Sequence, residues 1–149
     1  TRGWNREDQK EYKREDPHST LITESVSKVK AAQWIFRIAG IWGVLVVLPL
    51  YFLEDVMNQQ FPPAMNHPEM FYGFGGVGRA WQIAFLIIST DPVRYRPLML
   101  AAMMEKFTYV GALLTLLAKG RAPAMVLGAA IPDGVLGLLF VLAWIKTKE

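Results

Sequence analysis

Four stretches of the chain are almost wholly apolar, and the polar residues collect between them and at the N-terminal end. The apolar runs cover residues 34–53, 70–90, 98–118 and 124–145, with lengths of 20, 21, 21 and 22 residues. A helix rises about 1.5 Å per residue, so about 20 residues cross the roughly 30 Å hydrocarbon core of a bilayer. Backbone polar groups find no water in lipid, so each crossing segment must satisfy them internally, as a helix. Connectors of 16, 7 and 5 residues join the runs. A buried helix of a soluble protein explains any one run. Four of them, spaced this closely, predict an all-α, polytopic membrane four-helix bundle.

The N-terminal pattern is different. Residues 1–18 mix acidic and basic side chains with almost nothing to bury, so the stretch needs a partner to order it. Its first residues, Thr1 to Asp8, carry no apolar core and no small-residue cleavage site, and the segment is expected to stay in the mature protein. Pro17, Ser19 and Thr20 then offer a helix start. Leu21, Ile22, Val26 and Val29 follow at helical spacing, with Glu24, Lys28 and Lys30 on the other side. This predicts an N-terminal amphipathic interfacial helix leading into the first span. The chain divides accordingly into a charged tail with its surface helix, 1–33, and a four-span bundle, 34–149.

Composition sharpens the picture in two places. Of the 29 acidic and basic residues among 149, 13 lie in residues 1–30, so the membrane segments are poorer in charge than the 19% overall suggests. There is no Cys, which excludes disulfides, thiolate metal sites and a cysteine nucleophile. The net charge of +3 with a pI near 9.3 does not indicate nucleic-acid binding, because basic residues in the tail are matched by acidic ones and the rest flank apolar runs. Lys28, Lys30, Arg37, Arg94, Arg96, Lys146 and Lys148 fall on one side if the spans alternate. The positive-inside rule makes that side cytoplasmic, with both termini there. Trp34 and Trp144 then mark the inner interface, and Tyr51, Phe71 and Tyr72 the outer one. The proline-rich outer connector, 57–69, reads as a rigid cap.

An ionisable group near the bilayer centre costs at least about 2.5–3.5 kcal/mol on insertion scales, so it should face protein and find a partner. Four such groups occur: Arg79, Glu105, Lys106 and Asp133. Arg79 and Asp133 come out at nearly equal depth, which predicts an Arg79–Asp133 pair with Glu105 as second acceptor and Lys106 pointing away. Gly73, Gly76, Arg79 and Gln82 fall three apart on span 2, and Asp133 shares a face with Gly137 on span 4. Small residues let membrane helices approach, and polar ones join them. The intramembrane cluster Arg79, Glu105, Asp133 and Gln82 therefore reads either as glue that fixes helix register or as a proton, ion or polar-ligand site.

Other chemistry is sparse. The run Gly73 to Gly78 matches G-x-G-x-x-G, but inside an apolar span, without the strand a dinucleotide site requires. His18 and His67 fall on opposite sides of the membrane, so they cannot share one metal. His67, beside Pro68 and Glu69 at the outer mouth, remains a possible single ligand to a metal or pigment centre contributed by a partner. No catalytic set or metal cluster is apparent, and no cofactor is implied for this chain alone; a lipid, quinone or pigment at its surface is the open class.

The stretch from Pro68 to Phe74, Trp81 to Phe85, the turn Asp91-Pro-Val-Arg-Tyr-Arg-Pro97 and Glu105 to Tyr109 resemble a group of bacterial four-span membrane proteins similar to the DoxX-like family. The resemblance covers residues from about 34 to 146 and omits the charged tail. It implies, as one expectation, quinone-linked action on a small hydrophobic substrate, with Arg79, Glu105 and Asp133 lining a pocket. The residues themselves favour another reading. They suggest a non-catalytic accessory subunit of a larger membrane complex, respiratory or photosynthetic. It would contact lipids and neighbouring subunits through its tail and its transmembrane faces.

Overall fold

The computed structural model describes residues 17–60 and 65–148. The tail through residue 16, with its expected partner contact, and residues 61–64 of the outer connector lie outside the described residues. Five helices account for most of the rest: α1 Pro17–Leu50, α2 Glu54–Gln60, α3 Pro68–Thr90, α4 Arg96–Ala118 and α5 Leu127–Lys146, the last preceded by a single 3-10 turn at Ala124–Val126. Four are long and apolar enough to cross a membrane. No strand occurs among the described residues. The all-α four-helix bundle stands as the sequence predicts.

One boundary differs. The predicted surface helix and the first span are a single element of 34 residues, about 51 Å long. Between Pro17 and Pro49 there is no proline, and the first glycine is Gly40, so nothing interrupts the backbone ladder at residue 33. Gln33 donates to the carbonyl of Thr90, the last residue of α3, at 3.4 Å. Residues before it therefore run past the end of α3. The helix ends one residue beyond Pro49, where Phe52 and Leu53 donate back to Pro49 and Leu50 at 2.9 and 3.2 Å. The outer connector then forms α2, tied to α3 by the Tyr72 hydroxyl, which donates to Glu54 at 2.6 Å.

The other turns follow from local chemistry. Asp91 accepts from the Arg94 amide at 3.1 Å through its side chain and from the Tyr95 amide at 3.0 Å through its carbonyl, closing a compact α3–α4 turn. Gly120 adopts a positive φ of 65°. Arg121 and Gly120 then donate to the carbonyls of Leu116 and Leu117 at 2.9 and 3.0 Å, which satisfies the end of α4 in a Schellman motif.

α1 packs mainly on α3, and α4 on α5; α1 and α5 join the two pairs, while α3 and α4 touch little. The core sits at the end that holds the start of α4 and the end of α5. Ala32, Phe36, Ala39, Phe85, Ile88, Met99, Ala102, Phe140 and Ala143 are buried there. The Phe36 and Phe140 rings stack at 4.3 Å, and Phe85 meets Phe140 edge-on at 4.9 Å, both favoured arrangements. Arg96 closes this end by donating to the Trp144 carbonyl at 3.2 Å with its guanidinium 4.1 Å over the indole.

The opposite half is looser. Among the described residues nothing stands within 4 Å of where a Cβ would sit on Gly73, Gly76, Gly111, Gly128 or Gly134. Large apolar side chains such as Trp42, Leu45, Phe74, Ile83, Leu100 and Leu138 face outward, whereas Gln82, Ser89 and Lys106 are buried. Water would not tolerate apolar exposure on this scale in a monomer; hydrocarbon favours it. The fold is that of an integral membrane protein in contact with lipid.

Candidate functional site: a buried lysine between two carboxylates

Glu105 and Lys106 are neighbours on α4 and leave its axis about 100° apart. The lysine stem is long enough to bring its ammonium back to one carboxylate and across to another. Lys106 Nζ donates to Asp133 Oδ1 on α5 at 2.9 Å and lies 3.4 and 3.3 Å from Glu105 Oε1 and Oε2. Its side chain is only 5% exposed, against 22% for Glu105 and 21% for Asp133. The ammonium also sits 5.5 Å from the centre of the Phe85 ring, a distance at which a ring face attracts a cation. Lys106 is thus held by α4, α5 and α3 together.

α5 makes room for this contact. A Cβ on Gly137 would stand 3.0 Å from the Phe107 ring and 3.4 Å from Lys106 Cβ, so the bare glycine permits the approach of α4. Pro132, one residue before Asp133, lies inside α5 and cannot donate to the carbonyl four residues back. Lys106 lies ten residues into α4 and Asp133 nine beyond Ala124, about 15 and 13.5 Å along their helices. The triad is at mid-depth.

The predicted pairing needs correction. Arg79 does not meet Asp133: its guanidinium lies 3.7 Å over the Tyr51 ring at the end of α1. No carboxylate is within ion-pair distance of it among the described residues. Equal depth was the ground for pairing Arg79 with Asp133, but depth does not fix direction around the helix. Gly75 and Gly78 of α3 abut Tyr51, just beyond α1, and Val47 within it, so this part of α3 faces α1, and Arg79 extends along it toward the helix end. Lys106, expected to point away, takes Asp133 instead. The four-residue cluster separates into a Glu105–Lys106–Asp133 triad and an Arg79–Tyr51–Tyr72–Glu54 chain, in which the two tyrosine rings meet edge-on at 4.8 Å.

Gln82 belongs to neither. It donates to the Gly78 carbonyl at 3.0 Å and covers Gly43, where a Cβ would collide with its side chain. Gly73 and Gly76, predicted as packing glycines, face open space among the described residues, because α3 turns another side to α1 and barely touches α4. Gly137 does pack, as expected. The glycines that bring α1 onto α3 are Gly40 and Gly43; the small-x-x-x-small spacing of Ala39 and Gly43 marks this face in the sequence. His67 pairs with Glu69 at 2.9 Å, both exposed, and no group of three potential ligands occurs among the described residues.

The arrangement can neutralise charge within the membrane, hold α4 against α5, and bind or release a proton. Set against protein-family models, curated proteins and solved structures, the chain matches none.

Proposed function

We propose that the chain is a non-catalytic accessory subunit of a larger membrane complex of the respiratory or photosynthetic electron-transfer type. It sits in a bacterial inner membrane with both termini cytoplasmic. The observation that carries this reading is the half-open bundle. Five glycines on α3, α4 and α5 present small faces with no neighbour among the described residues, and such faces are where a membrane helix accepts another helix. Glu105, Lys106 and Asp133, meanwhile, are engaged with one another. Orientation rests on the cations gathered at the closed end, from Lys28, Lys30 and Arg37 to Arg94, Arg96, Lys146 and Lys148, against Glu54, Asp55 and Glu69 with Lys119 and Arg121 at the other.

The quinone-linked reading draws less from the geometry, because Arg79 lies on Tyr51 rather than with Glu105 and Asp133. Gentle detergent extraction from native membrane, native gel separation and an absorption spectrum of the band test the proposal. Co-migration with larger subunits carrying a haem or chlorophyll band is expected. Migration solely as a free monomer or homodimer would sink it.

A further inference from the structure

The triad has one cation and two carboxylates, and the count does not balance. With all three groups ionised the site is −1. Its partly exposed carboxylates open, at this depth, onto hydrocarbon or a neighbouring chain rather than onto bulk water. An uncompensated charge there is expensive enough that the group takes up a proton instead. The geometry distinguishes the two carboxylates. Asp133 holds the shorter contact to Lys106, 2.9 Å against 3.3 Å, and Glu105 Oε2 is a buried oxygen that makes no hydrogen bond. The charged groups facing Glu105 are Lys106 on α4 and Asp133 on α5. Tyr109, also on α4, lies one turn beyond Glu105. α3 contributes the uncharged Phe85 ring.

We propose that the triad is a one-proton site at mid-membrane: Lys106 and Asp133 form the ion pair, and the Glu105 carboxyl holds the proton. The site is neutral when occupied and −1 when the proton leaves for water. This goes beyond the accessory role, since a resident proton at the α4–α5 contact links the packing of the bundle to proton release. It does not depend on what partners the chain has.

Infrared spectroscopy of the full chain in phospholipid vesicles at neutral pH tests it. The carbonyl stretch of a neutral carboxyl is separate from the bands of ionised carboxylates and shifts in D2O. The other carboxylates of the described residues, Glu24, Glu54, Asp55, Glu69 and Asp91, lie toward the ends of the bundle rather than at mid-depth. The wild-type chain should show the neutral-carboxyl band. Glu105→Gln and Asp133→Asn should each lose it, because either leaves one carboxylate for one ammonium. Lys106→Met should raise it about twofold, since both carboxyls are then neutral. Absence of the band in the wild-type chain overturns the proposal even if a variant fails to fold. So does a band that survives Glu105→Gln unchanged, or one that Lys106→Met leaves as it was.

Discussion

At the scale of the residue, the decisive group is Lys106. A buried ammonium is tolerable only with a partner in place, and removing the partner of a buried charge typically costs about 3–5 kcal/mol. Two carboxylates stand within 3.4 Å of it, so each backs up the other. Asp133→Asn or Glu105→Gln alone should destabilise the bundle by no more than about 1–2 kcal/mol, because the remaining carboxylate serves as the anion. The double variant leaves the ammonium alone and should lose about 3–5 kcal/mol, more than the two singles together. Denaturant titration in detergent, followed by helical circular dichroism, measures this; strict additivity would show that the two carboxylates act independently. The sequence made the intramembrane charges plain, but not their pairing. Arg79 and Asp133 share a depth, and depth is what counting residues gives. Which way a side chain leaves its helix depends on which neighbour that helix packs against, and a long lysine stem can reverse a direction inferred from 100° steps.

At the scale of the element, glycine separates the contacts that matter from those that are open. A Cβ on Gly40 would stand 2.7 Å from Leu86 Cγ and 3.0 Å from the Gln82 carbonyl oxygen, and a backbone atom cannot step aside. Gly40→Ala should therefore destabilise α1 on α3 by about 1–3 kcal/mol. Gly43→Ala meets the Gln82 side chain rather than backbone; that side chain can swing aside at the loss of its bond to Gly78, so the change should cost less. Gly73→Ala meets nothing described and should be neutral, or stabilising by up to about 1 kcal/mol through helix propensity. The same detergent titration ranks the three; equal losses would refute the assigned contact faces. Element limits were largely legible because apolar run length and the flanking prolines and charges set them. The predicted spans 70–90 and 98–118 lie inside α3 and α4 and share their C-terminal limits. The seam of α1 was missed because Gly40 and Gly43 sit within an apolar run, with no polar residue to mark the face.

At the scale of the whole molecule, the bundle is closed at one end by three phenylalanine rings and the Arg96–Trp144 contact, and open at the other. Four helices of alternating direction bring the middle of α1 and the C-terminal half of α5 together, as the stacking of Phe36 on Phe140 requires. That is what places the cations of the α3–α4 turn and of both flanks at one end. The closed end holds the chain together, and the open end offers small, apolar faces to whatever lies beside it in the membrane. Alternating apolar runs made the number of spans legible. The uneven closure was not, because it depends on which faces pair, and α3 and α4 share a long boundary on paper yet touch little. The most direct measurement uses the absence of cysteine from the chain. Single substitutions Gln59→Cys, Arg94→Cys, Lys119→Cys and Lys148→Cys, labelled with a membrane-impermeant thiol reagent in intact cells and in inverted vesicles, report the side of each connector. Positions 94 and 148 should react only from the cytoplasmic side, and 59 and 119 only from the opposite side; reaction of 59 or 119 from the same side as 148 would contradict the four-span bundle.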